Sequence, residues 1–165
     1  MKSSDIRKYR AKRVDTGEWV YGFFVSIHNF GKGKNYKQSN RIYTGYAETD
    51  CDNFYPDWFE VDINTLGQSS GMSTYIGDDV TDIVEGDIIR FTYFDYDGSD
   101  SEYIGVVKFI DGIFDVCCKC CTGVELSWIL EQDSECEIIG NIYDNPDLLD
   151  KMEPIKGRIL YADKD

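Results

Sequence analysis

The residues of this chain best suited to chemistry are its cysteines. Four of the six stand together in Cys117-Cys118-Lys119-Cys120-Cys121, with Cys51 and Cys136 elsewhere. Cys117-x-x-Cys120 and Cys118-x-x-Cys121 each have the spacing of half a structural zinc site, which needs four thiolate or imidazole ligands converging tetrahedrally. The other ligands available are Cys51, Cys136 and His28. In a strand, neighbouring side chains point to opposite faces, so Cys117 and Cys118 share one site only if the chain bends sharply. A buried thiol otherwise packs as a small apolar group, and that is the reading the pattern favours. A cysteine-bound zinc domain is kept as an alternative. A redox pair has less support, because no helix N-terminus follows to lower a thiol pKa.

The remaining constellations are weaker. His28 is the sole histidine and borders Gly31-Lys32-Gly33-Lys34-Asn35. A phosphate loop would need Gly where His28 stands and Ser or Thr where Asn35 stands. His28 therefore reads as an exposed loop residue rather than a general base. Asp95-x-Asp97-Gly98-Ser99-Asp100 has its glycine too early for a calcium loop and reads as a hairpin turn. Asp50, Asp52 and Asp57 offer a hard cation a weak site at most. In Glu85-Gly86-Asp87 the spacing implies no second titratable partner, so Asp87 reads as a turn residue bonding nearby amides. No catalytic, cofactor-binding or metal-binding residue is assigned, no cofactor is expected, and the protein is expected not to be an enzyme.

Composition narrows the partners. The chain has 165 residues, 42% hydrophobic and 15% aromatic, which suits one folded domain rather than a disordered chain. No run approaches the roughly 20 apolar residues of a membrane helix, and Met1-Lys2-Ser3-Ser4-Asp5 lacks the apolar core of a signal peptide. A cytoplasmic protein with reduced thiols is expected. Lys2, Arg7, Lys8, Arg10, Lys12 and Arg13 against Asp5 give the first 14 residues a charge of +5, which leaves −19 for the rest of a chain whose net charge is −14. Nucleic acid is a polyanion whose binding needs Lys and Arg, so most of this surface repels it and nucleic acid is not expected as a partner. The basic segment reads as a strand with a solvated face; a DNA-binding patch is its alternative.

The elements that must position these residues are strands and turns. Tyr9 and Ala11 alternate with charged neighbours, Asp15-Thr16-Gly17 suits a three-residue hairpin loop, and Trp19 to Val25 returns apolar on both faces, as in a sheet interior or an interface. His28 to Asn40 reads as a polar loop, Arg41 to Ala47 and Trp58 to Ile63 as strands. Residues 64–82 lack clear periodicity and hold any seam between two subdomains. Beyond them, Ile89, Phe91 and Tyr93 alternate along one strand. Asp111-Gly112 is the strongest hairpin signal, and a two-residue turn there pairs Ile110 with Ile113, Phe109 with Phe114, Lys108 with Asp115 and Val107 with Val116. Ile138 to Tyr143 is a last strand, and Asn145-Pro146-Asp147 opens a helix anchored by Leu148, Leu149 and Met152.

Several of these segments carry a resemblance. Gly67-Gln68-Ser69-Ser70-Gly71 after Val61-Asp62, Glu85-Gly86-Asp87-Ile88-Ile89, Gly105-Val106-Val107 and Ile139-Gly140-Asn141-Ile142-Tyr143-Asp144-Asn145-Pro146 look like the YopX family of phage and prophage proteins. Tyr9-Arg10-Ala11 and Trp19-Val20-Tyr21-Gly22-Phe23 fit that family's opening hairpin. The resemblance implies a mainly β fold: an N-terminal β region over 1–66, a small SH3-like barrel over 83–145, and a short helix and tail over 146–165, within a single 1–165 domain. It also implies a phage or prophage setting without an assigned activity. Together with the aromatic, doubly apolar strands, the expectation is an accessory protein that binds a phage or host protein and associates with its own copies. The alternatives are a nucleic-acid-related role, by DNA binding or as an acidic decoy of a host DNA-binding protein, and the cysteine-bound zinc domain.

Overall fold

The structure is a computed structural model, and it describes residues 8–29, 37–47, 55–76, 79–94, 98–119, 123–132 and 136–155. The chain divides into two compact units, Met1–Ser69 and Ser70–Asp165. The division falls inside the 64–82 stretch.

The first unit is a meander. Its strands are β1 (Tyr9–Lys12), β2 (Trp19–Asn29), β3 (Lys37–Ala47) and β4 (Tyr55–Glu60), followed by a 3₁₀ turn at Ile63–Thr65 and the opening residues of β5 (Gly67–Ile76). The hydrogen-bonded order is β5-β1-β2-β3-β4, antiparallel throughout. The two-residue period of β2 sends Val20 and Phe24 into a core with Ala11, Ile42, Val61 and Phe59. Tyr21, Phe23 and Val25 therefore take the opposite face, which is why this strand reads as apolar on both.

Three details differ from the sequence expectation. The Arg13 amide donates to the Glu18 carbonyl at 2.9 Å, so Val14 joins the β1–β2 loop, which is one residue longer than Asp15-Thr16-Gly17; Gly17 still adopts a left-handed φ of 74°. The polar His28–Asn40 segment is partly strand, with His28 paired to Gln38 and Asn29 to Lys37. Its polar side chains bond one another across the strands: Ser26 Oγ to Asn40 Oδ1 at 3.0 Å, and Gln38 Nε2 to Ser26 Oγ at 3.0 Å. The Trp58–Ile63 strand is shifted earlier, because Asp62 caps the 3₁₀ turn by accepting from the Asn64 amide at 3.0 Å.

The second unit holds the rest of β5, then β6 (Asp79–Val84), β7 (Asp87–Phe94), β8 (Asp100–Ile110), β9 (Ile113–Cys117), β10 (Gly123–Glu125), the helix α1 (Leu126–Gln132) and β11 (Glu137–Asn141). The order is β10-β9-β8-β7-β11-β5, with β6 also on β5. The β8–β9 register is the expected one at all four pairs, and its turn has φ of 51° at Asp111 and 94° at Gly112. The described part of 64–82 is mostly strand: β5 and most of β6 lie there, their polar, glycine-bearing sequence masking the strands.

The mainly β class holds, but the SH3-like barrel expected over 83–145 is not a closed barrel. Among the described residues nothing joins β10 to the far side of the sheet. β10 is only three residues long and runs directly into α1, which packs on β7, β9 and β10. A helix thus covers the face that a closed barrel would have folded around. The core beneath it includes Ile83, Ile89, Phe91, Val107, Val116, Leu126 and Ile129. The expected C-terminal helix is a 3₁₀ segment, Pro146–Lys151, with no fully buried residue, so Leu148 and Leu149 are weak anchors. No described helix is long and apolar enough to cross a membrane.

Candidate interaction surface

Cys117 and Cys118 diverge as alternation requires. Cys118 and Cys136 lie in the α1-covered core, whereas Cys117 follows the opposite parity; all three are buried. No three His, Cys, Asp or Glu side chains among the described residues gather as metal ligands. Cys51, Cys120, Cys121, Asp50, Asp52, Asp95, Asp97 and the Gly31–Asn35 loop lie outside the described residues, and of His28 only the backbone is described. Asp57 accepts from the Thr44 hydroxyl at 3.3 Å.

The Glu85, Gly105 and Ile139 motifs converge in the second unit. β7 pairs with β8 through Ile88 and Val106, and with β11 through Asp87 and Asn141. The Gly86 amide donates to the Val107 carbonyl, and the Ile142 amide to the Gly86 carbonyl, both at 2.9 Å. Gly86 sits at φ 88°, a conformation other residues resist. Asp87, 1% exposed, accepts from the Val84 amide at 2.8 Å. Asn141 Oδ1 accepts from the Tyr143 and Asp144 amides at 3.0 Å each. Asn145 does not cap the helix it precedes; its Oδ1 turns back to the Asn141 amide at 3.2 Å. The neighbour closest to Gly140 is this same side chain: a Cβ there would lie 2.5 Å from Asn145 Oδ1. These polar groups hold turns.

The basic segment is engaged within the protein. Arg10 is only 7% exposed, which corrects the solvated-face reading at this position. Its guanidinium lies 4.6 Å from the Trp19 ring centroid, and the Lys12 ammonium 5.2 Å from the same ring. Arg13 stacks 4.2 Å over Phe59 and grips Asp15 through two bonds of 2.9 and 2.7 Å. The Arg13 hydrogen bond holds the Asp15 carboxyl below its usual range, and the same bond raises the guanidinium pKa. A groove of about 480 Å³ beside this turn, lined by Lys12, Arg13, Val14, Val61, Asp62 and Ile63 among others, therefore has its arginine already matched. Lys2 and Arg7 lie outside the described residues.

The feature that is not absorbed by the fold is the outer face of β2, β3 and β4. Register aligns Phe23 with Tyr43 and Tyr43 with Trp58, a row of three rings across three strands. Their centroids are 6.4 and 4.8 Å apart. The next row is Val25, Arg41 and Glu60. Tyr21 is 54% exposed, Trp58 38% and Val25 36%. Because the rings touch one another, they form a continuous apolar ridge rather than separated platforms for stacking bases. Among the described residues β4 pairs along its strand only with β3, while at its end the Glu60 carbonyl accepts from the Val14 amide at 3.0 Å and Val61 bridges Arg13. Sequence reasoning flagged Trp19–Val25 but missed Tyr43 and Trp58. The signal was the alternation Arg41-x-Tyr43 and Trp58-x-Glu60, which places a charge beside a ring on both strands.

A family model described as YopX protein matches residues 8–150 of the chain. No curated protein and no solved structure matches it.

Proposed function

The chain belongs to the YopX family, and from that premise we propose that it is a phage or prophage accessory protein of the bacterial cytoplasm that works by binding protein, its own copies included, and not by catalysis. The observation that carries this reading is the partly exposed ring row of the first unit, in which Trp58 is exposed and Phe23 and Tyr43 are half-buried. Fully burying a large apolar side chain is worth about 1.5–3 kcal/mol relative to leaving it exposed, and completing the burial of these rings gains a part of that. A contiguous, partly exposed aromatic patch on one sheet face is the usual mark of a contact surface. The motifs most typical of the chain support the same reading, since their polar groups are spent on turns and no reacting constellation is built from them.

Two differently tagged copies expressed together test it. The first is expected to retain the second on its affinity resin, and the double substitution Tyr43→Ser with Trp58→Ser to release it. Retention unchanged by that variant would remove the face from the account. A mobility shift on DNA that weakens steeply with salt would replace protein binding by the nucleic-acid role.

A further inference from the structure

On the premise of the self-association proposed above, we infer that two copies of this chain meet face to face across β3 and β4, related by a two-fold axis that runs between these two strands and along them. The register sets Arg41 directly beside Glu60, and Tyr43 directly beside Trp58. Half a turn about that axis exchanges the positions of β3 and β4 and keeps the position along the strands. Arg41 of each copy then lies over Glu60 of the other, and Tyr43 over Trp58. One operation satisfies the charged row and the ring row together, which is the self-complementarity an isologous interface requires.

Charge excludes the neighbouring solutions. An axis along β3 sets Arg41 against Arg41, and an axis along β4 sets Glu60 against Glu60; like charges facing each other oppose association. Charge also selects this face over others. In a chain of net charge −14 most surfaces of two copies repel. The described charges on this outer face are Arg10, Lys12 and Arg41 against Glu60, so the acidic excess is missing here. Ser39 Oγ accepts from Arg41 Nε at 3.0 Å, which holds the guanidinium in one orientation with its terminal nitrogens as the fork for a carboxylate. Face-to-face sheets lie about 10 Å apart, a gap that tyrosine and tryptophan side chains fill.

Reversing one charge at a time tests the pairing. Arg41→Glu sets a second carboxylate over Glu60, and Glu60→Arg sets a second guanidinium over Arg41. Each variant alone is expected to dissociate about a hundredfold more readily than the wild type. Mixed together they restore opposite-charge pairs between the two copies, and the mixture is expected to form a heterodimer near wild-type strength. Effects within one copy cannot produce that rescue. Where a reversed charge unfolds the chain by circular dichroism, Arg41→Gln and Glu60→Gln take its place, each expected to weaken the dimer roughly tenfold. A wild type that associates while these variants associate equally, or while the mixture fails to recombine, overturns this pairing and leaves self-association standing. A wild type that stays a single chain overturns both.

Discussion

At the scale of single residues, the chain shows which polar groups are committed and which positions admit no side chain. Gly22 pairs with Tyr9 in β1 and lies against β3, where an added Cβ would fall on the Tyr43 carbonyl oxygen. Because that obstacle is backbone, Gly22→Ala is expected to destabilise the protein by about 2–4 kcal/mol, read from the denaturant midpoint. Asp87→Ala removes a buried acceptor and strands the Val84 amide; about 2–3 kcal/mol is expected by the same measurement. Asp15 gives a pH-dependent case. Its carboxyl is held below the usual range in the folded state, so the stabilisation is present above the ordinary carboxylate pKa and fades as pH falls through the lowered value. Asp15→Asn should thus lower the thermal midpoint slightly at neutral pH, and the difference should shrink as the solution is acidified below the ordinary carboxylate range. The role of Asp87 was legible in Glu85-Gly86-Asp87 because a Gly followed by Asp dictates a turn locally. The role of Asn145 was not, because its partner, Asn141, is chosen by a bend rather than by helix capping.

At the scale of elements, local chemistry made some strands legible and left others obscure. Asp111-Gly112 forces a two-residue turn, and once the turn is fixed every pair from Ile110–Ile113 to Val107–Val116 follows, down to the charge match of Lys108 with Asp115. Gly112→Ala places a Cβ at φ 94°, and about 1–2 kcal/mol of destabilisation is expected by thermal melting, with the register unchanged. β5 and β6 were hidden because Gln68, Ser69, Ser70 and Gly71 lack the apolar alternation of a half-buried strand. α1 was hidden by its length, since Leu126, Ile129 and Leu130 give only one helical repeat. The small barrel was what the resemblance implied; α1 instead covers the core that holds Phe91, Val107 and Val116. The ring row was half legible. Phe23 belonged to a strand flagged as apolar on both faces, but its alignment with Tyr43 and Trp58 needs the register of three strands.

At the scale of the whole molecule, a strongly acidic chain carries one described sheet face that is aromatic and free of acidic excess. Three of the six YopX-like segments lie in the second unit and two in the first, with Gly67–Gly71 across the boundary; the Trp19–Phe23 segment supplies Phe23 to the ring row, whereas Tyr43 and Trp58 lie outside these segments. Substitutions in the second-unit motifs are expected to lower stability, and substitutions of Tyr43, Trp58, Arg41 or Glu60 to lower association while the fold persists. Light scattering of the intact chain under reducing conditions, over a range of micromolar concentrations, tests the central claim most directly. The account predicts a mass that rises toward twice the 19.0 kDa of one chain. A mass that stays at one chain across the whole range would contradict it.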